Sequence, residues 1–213
     1  MNNNELVNDF DEPNYEDEDQ PSLDDLIEEY RYSQVEYVDW DKFVIEEWEE
    51  RLAELGYTDA KIMYSGFCSQ GDGAGFESGY DIDKFIDKNK PLIIQWLFPQ
   101  IKDGIDDLKN YLTISIKHTG GQYCHKHSFA LSVEAYYGEP DFITQEKLEE
   151  ISDYLQDVLE AERLDLCGQI YKDLWADYDY LTSDEGVTEY LINNGLWEEP
   201  ETEVEAEPMR QAA

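Results

Sequence analysis

The chain has 213 residues, enough for one domain with a sizeable core, and sets 52 Asp and Glu against 15 Lys and Arg for a formal net charge of −37. That balance removes the clustered cations that direct DNA or RNA binding requires, and anionic membrane leaflets would repel it. Aromatic residues at 14% argue against disorder throughout.

The charge is unevenly placed. Residues 1–30 carry twelve acids and no base, whereas residues 61–140 hold ten acids against eight bases. The excess returns in 141–197, with fifteen acids and three bases. A near-neutral centre is thus flanked by anionic sequence, which makes a basic protein the expected partner. Cys68, Cys124 and Cys167 are odd in number and form no CxxC pair, which fits a reducing compartment. The amino terminus lacks the pattern of a signal peptide, and the apolar run Pro91–Phe98 is far short of the roughly 20 residues of a membrane span. The expectation is a soluble, cytoplasmic protein without a cofactor.

In chain order, residues 1–22 read as a disordered acidic tail broken by Pro13 and Pro21. Ser22 can cap a short helix with Asp24 and Asp25 in its first turn. A second helix is expected from Asp41 to Leu55, with Phe43, Val44, Trp48, Leu52 and Leu55 at helical spacing and Gly56 as its stop. Ala60–Phe67 and Gly75–Tyr80 read as strands around the glycine-rich connection SQGDGA. A helical turn over Asp81–Asp87 and an apolar helix over Pro91–Leu108 come next. Strands Tyr111–His118 and Tyr123–Tyr136 follow, joined through Gly120-Gly121 as a two-residue hairpin loop. The last third is helical: Leu148, Ile151, Leu155 and Val158 make one apolar stripe, and Leu166, Ile170, Leu174, Tyr178 and Leu181 another. A short helix from Ser183 to Asn193 opens on a cap sequence and ends at Gly195. Residues 198–213 form a second acidic tail. Strands at the centre and helices toward the ends predict an α+β fold: two antiparallel hairpins in a sheet of about four strands, with helices over one face. The domain is expected to span 23–197, with its sheet core in 57–140.

Three constellations carry the functional argument. On the first long carboxy-terminal helix, Glu146, Glu150, Asp153, Asp157 and Glu160 recur at i, i+3 or i+4 opposite the apolar stripe, with Asp173, Asp177 and Asp179 as an expected continuation. Such a face is ordinarily just solvated. Here Lys147 is the one base within it, so like charges face each other at helical spacing.

The second constellation is Tyr64–Phe76, containing Ser69, Gln70, Gly71, Asp72 and Gly73. The glycines at 71, 73 and 75 are expected to permit positive φ, and Asp72 to make an Asx-type turn. A phosphate loop would add a Lys and a helix start, and neither follows.

The third is the histidine hairpin. With Gly120-Gly121 as the loop, His118 pairs with Tyr123, Ile116 with His125 and Ile114 with His127. His118, His125 and His127 then share one mainly apolar face, where a zinc or acid–base site is conceivable and structural histidines are the plainer reading.

The run SGFCSQGDGAGF resembles a motif, SGFxSQGDGAxF, of uncharacterised proteins of tailed phages and prophages. Those proteins also carry a hairpin like His118–His125 and an acidic, aromatic helix like Tyr178–Glu185. The resemblance spans roughly residues 57–195 and implies a phage origin, with no activity attached. Cys68 stands where that family more often has Trp.

The leading functional expectation is a non-enzymatic, phage-encoded interaction protein. It would inhibit a host nucleic-acid-binding protein, such as a defence nuclease, restriction or transcription component, by acting as an anionic decoy of nucleic acid. The alternatives are a small hydrolase or metal-dependent enzyme centred on His118, His125 and His127, and an antitoxin-like binder relying on apolar contacts.

Overall fold

The computed structural model describes residues 21–36, 39–88, 105–136 and 143–198. Most of the two expected tails, and the expected helix Pro91–Leu108 as far as residue 104, lie outside these residues. Contacts divide the described residues into two compact units, one holding those up to Glu36 with those from Leu181 onward, the other those from Asp39 to Tyr180.

The larger unit is built on a four-stranded antiparallel sheet of strands β1 (Tyr57–Ser65), β2 (Gly73–Tyr80), β3 (Leu112–His118) and β4 (Phe129–Ala135), in the order β1-β2-β3-β4. The fold is α+β, as the sequence predicts. Period-two burial explains the strands: Leu112, Ile114 and Ile116 are buried, and Thr113 and Lys117 between them are exposed. A bulge between Thr58 and Lys61 in β1 holds Asp59 at φ 52°, a left-handed conformation that Asp tolerates better than most residues.

Helix α3 (Lys42–Leu55) buries Val44, Trp48 and Leu52. Gly56 ends it at φ 107°, its N–H reaching the carbonyls of Ala53 and Leu52. Phe43, expected on the buried stripe, is instead 73% exposed. It falls one position outside the arc that Val44, Trp48 and Leu52 turn to the core. Residues 82–88 form a helical segment, α4, burying Ile82, Phe85 and Ile86. A 3-10 turn, Ile105–Asn110, precedes β3.

The two predicted apolar stripes of the last third belong to one helix, α5 (Gln145–Leu181), of 37 residues and about 55 Å. Leu148, Ile151, Leu155, Leu159, Leu166, Ile170 and Leu174 are buried along it. Its position is set partly by polar contacts with the outer strand. Ser152 Oγ donates to the Val133 carbonyl at 3.0 Å, Gln156 Nε2 to the Leu131 carbonyl at 2.9 Å, and Val133 N–H to Gln156 Oε1 at 3.1 Å. Two side chains one turn apart thereby occupy backbone groups of the edge strand, which would otherwise be open to pairing with another chain. Among the described residues, no helix is long and apolar enough to cross a membrane.

The smaller unit holds α1 (Leu23–Tyr30), α2 (Ser33–Glu36) and α6 (Asp184–Asn193). Ser22 caps α1 in a capping box with Asp25, and Ser183 caps α6, as the sequence predicts. Ile27, Val187 and Leu191 form its core. Arg31 ties it together by donating to the Thr182 carbonyl at 2.9 Å and pairing with Asp184 at 2.8 Å.

Candidate functional site

The glycine-rich motif forms the β1–β2 turn. Asp72 organises it: its carboxylate accepts from the N–H groups of Cys68 and Ser69, both at 2.5 Å, and from Ser69 Oγ at 2.7 Å. The Ser69 N–H and then its hydroxyl hold the Asp72 carboxyl below the usual carboxylate range. The expected Asx-type turn, in which the side chain accepts from the N–H two residues on, does not describe these bonds: Asp72 reaches back three and four residues instead.

The glycines serve a different purpose from the one expected. None of Gly71, Gly73 and Gly75 has positive φ; in this turn that conformation belongs to Gly66, at 59°. A Cβ at Gly71 would lie 2.6 Å from the Tyr123 ring, one at Gly73 2.6 Å from His125 Cβ, and one at Gly75 2.3 Å from the Phe129 ring. The alternating glycines bare one side of the chain so that the segment 123–129 can pack directly on it. Ser65 joins the same two segments, accepting the Cys124 N–H at 3.0 Å and donating to the Gly71 carbonyl at 3.3 Å.

The histidine hairpin has another register. His118 pairs with Phe129, Ile116 with Leu131, Ile114 with Val133 and Leu112 with Ala135, a shift of six residues from expectation. An even shift leaves every strand residue on its original face, so the apolar pattern is equally satisfied. The connection is therefore residues 119–128, not two glycines, and His125 and His127 leave the strand. His125 caps a 3-10 turn, Lys126–Ser128, that contains His127, and its Nδ1 accepts the His127 N–H at 3.1 Å. His118 stays on β3, its Nε2 3.1 Å from the Tyr123 carbonyl oxygen. The shared histidine face does not form, and among the described residues no three His, Cys, Asp or Glu side chains group as a metal site.

The longer register is held by a residue that sequence reasoning passed over. Arg163, on α5, is 1% exposed; its Nη1 donates to the Lys126 carbonyl at 2.7 Å, while Nε and Nη2 grip Glu160 at 2.8 and 2.6 Å. This buried guanidinium fastens the histidine loop to the long helix. The signal in sequence was only an ordinary i,i+3 Glu–Arg pair.

Motif loop, histidine loop and α5 together enclose a cleft of about 380 Å³, lined by Gln70, Asp72, Gly73, His125, Lys126 and His127 with Cys167, Gly168 and Tyr171 of the helix. Burial pushes the Cys167 thiol up to about 11, so it is neutral at physiological pH. Beside the cleft, Phe67 of the motif is the hub of an aromatic cluster. Its ring centroid lies 4.7 Å from Tyr178, 5.6 Å from Tyr171, 5.7 Å from Tyr64 and 5.9 Å from both Trp40 and Trp175. Trp175 is 42% exposed.

The acidic stripe is shorter than expected. Glu146, Glu150, Asp153 and Asp157 are exposed, with Lys147 paired to Glu150, but Glu160 is half-buried and spent on Arg163. At about 100° per residue, Asp173 and Asp177 stand roughly 160° around the helix from Asp157 and do not continue the stripe. Asp173 accepts Trp48 Nε1–H at 3.0 Å, and Asp177 is half-buried. Asp179, exposed, returns to within about 40° of the stripe, some 33 Å further on. The structure therefore unites Ser69–Gly73 with His125 and His127, separates His118 from them in role, and leaves the acidic stripe at the other end of α5.

Fold and site define an α+β protein in which a glycine-bared turn and a histidine loop meet on one long helix. The chain belongs to the family described as Domain of unknown function (DUF8835), which matches residues 40–184 and so takes in the whole sheet, both loops and α5. No curated protein and no solved structure matches the chain.

Proposed function

We propose that the protein is an acidic interaction protein that binds a basic, nucleic-acid-binding protein and competes with its nucleic acid. One observation carries this reading. Asp153 and Asp157 precede Tyr171 and Trp175 by eighteen residues, five turns of α5, so carboxylates and aromatic cluster lie on the same side, about 27 Å apart along the axis. Carboxylates raise the encounter rate with a cationic surface, and clustered aromatics supply desolvated contacts that anchor it. The stripe alone, one carboxylate per roughly 5 Å, is sparser than the phosphates of one B-DNA strand at about 3.4 Å. Anionic mimicry is therefore supplemented by the apolar anchoring of the antitoxin-like reading. The resemblance of the motif to tailed-phage proteins supports a host protein as the partner. The hydrolase or metal-enzyme reading loses the common histidine face on which it rested.

The test is affinity capture from bacterial lysate on the full chain at low and high salt. The expected result is a basic nucleic-acid-binding protein retained at low salt and released by salt or by excess duplex DNA. Retention of no basic protein, or of one that excess DNA leaves in place, contradicts the proposal.

A further inference from the structure

We infer that the cleft between the motif loop and the histidine loop is a binding site for a small phosphate- or carboxylate-bearing molecule, independent of the protein partner proposed above. Its volume, about 380 Å³, is within the range of small-ligand pockets. It is far less anionic than the molecule around it, with one Lys and one Asp in its lining. Lys126, a cation, and the hydrogen-bonding imidazoles of His125 and His127 all line it. The one carboxylate that lines it, Asp72, is already committed to Cys68 and Ser69. Surface acids more than about 8 Å from the cleft are largely screened at physiological ionic strength, so the groups that line it dominate what an anion meets there.

Gly168 is the second observation. It sits inside a 37-residue helix, where glycine costs about 1 kcal/mol relative to alanine. A Cβ there would meet no heavy atom within 4 Å, so packing does not require the glycine. It leaves the wall of the cleft bare, as a site that receives a ligand against the helix would need. The Arg163 bond to the Lys126 carbonyl holds the loop in place without lending the cleft its charge, which Glu160 neutralises.

The experiment is an NMR titration of the ¹⁵N-labelled full chain with inorganic phosphate and, separately, adenosine monophosphate. The amides of Gly73, Lys126, His127 and Gly168 should shift saturably. Binding should weaken at least about tenfold, or about 1.4 kcal/mol, in Lys126→Gln, which keeps the backbone carbonyl that Arg163 uses, and in Gly168→Leu, which fills the cleft. Melting of Gly168→Leu at or above the wild-type temperature separates loss of the site from loss of the fold. Saturation by phosphate assigns recognition to the oxyanion itself, and saturation by the nucleotide alone extends it to the organic part beside Tyr171. Shifts that do not saturate, that scatter over the surface, or that persist unchanged in Lys126→Gln overturn the inference. Partner capture is not involved, so neither result depends on the other.

Discussion

Arg163 shows how one buried charge determines a loop. Its guanidinium meets Glu160 through two nitrogens and the Lys126 carbonyl through a third, and each bond removes part of the cost of burying it. Glu160→Gln leaves that cation uncompensated, and we predict a destabilisation of about 3 kcal/mol in denaturant midpoints, with faster proteolysis within 119–128. Gly73→Ala tests the close approach of the two loops. Its Cβ would fall 2.8 Å from His125 Cα, which is backbone and cannot swing aside, so a loss of about 1–3 kcal/mol is expected in the same measurement. Asp177 tests electrostatics. Burial, and then Asp173 one turn before it, raise its pKa. A raised folded-state pKa favours folding at acid pH, and that contribution is lost as pH rises through the folded value. Asp177→Asn should therefore stabilise the protein at pH 7 by a few tenths of a kcal/mol, the size of a like-charge i,i+4 pair. The gain should vanish at acid pH, where the Asp177 carboxyl is protonated in the folded and the unfolded chain alike, as thermal melts at neutral and acid pH will register.

At the scale of elements, local chemistry was legible and long-range geometry was not. The caps Ser22, Gly56 and Ser183 act within a few residues, and each sits where its side chain or its freedom of φ predicts. Strands β3 and β4 declared themselves by alternation. The β3–β4 register did not, because a six-residue slip keeps Phe129, Leu131 and Val133 on the face of Leu112, Ile114 and Ile116. Choosing between the two registers took Arg163, Ser65 and the glycine-bared turn, all far from the hairpin in sequence. The acidic stripe failed for a related reason. Over 37 residues the buried side of α5 drifts around the axis, and Asp173 and Asp177 turn away from the side held by Glu146–Asp157. The alternating glycines resemble turn residues in composition, although their spacing of two is that of a strand side approached by another backbone. Ser152 and Gln156 offered no signal beyond being polar, and their bonds to the edge strand yield a further expectation. Gln156→Ala leaves the Leu131 carbonyl and Val133 N–H without their side-chain partner and should cost about 1–2 kcal/mol, together with concentration-dependent association seen by sedimentation.

For the whole molecule, the net charge of −37 is a background against which two local departures stand out. One is the side of α5 where carboxylates lead to the Phe67 cluster; the other is the cleft lined by Lys126 and two histidines. Several of the described cations are already paired, Lys88 with Glu162, Lys109 with Asp83 and Arg163 with Glu160, so little positive charge remains to offset the surface acids. A partner drawn by that field but anchored by rings should respond differently to two variants. Replacing Glu146, Glu150, Asp153 and Asp157 by their amides should slow association and flatten its salt dependence, whereas Trp175→Ala should speed dissociation. The most direct measurement is the DNA affinity of the captured partner as the full chain is titrated in at low salt. Competitive loss of DNA binding, weakened by salt and by the four amide substitutions, is the predicted result. A stable ternary complex, with the partner's DNA affinity unchanged, would contradict it.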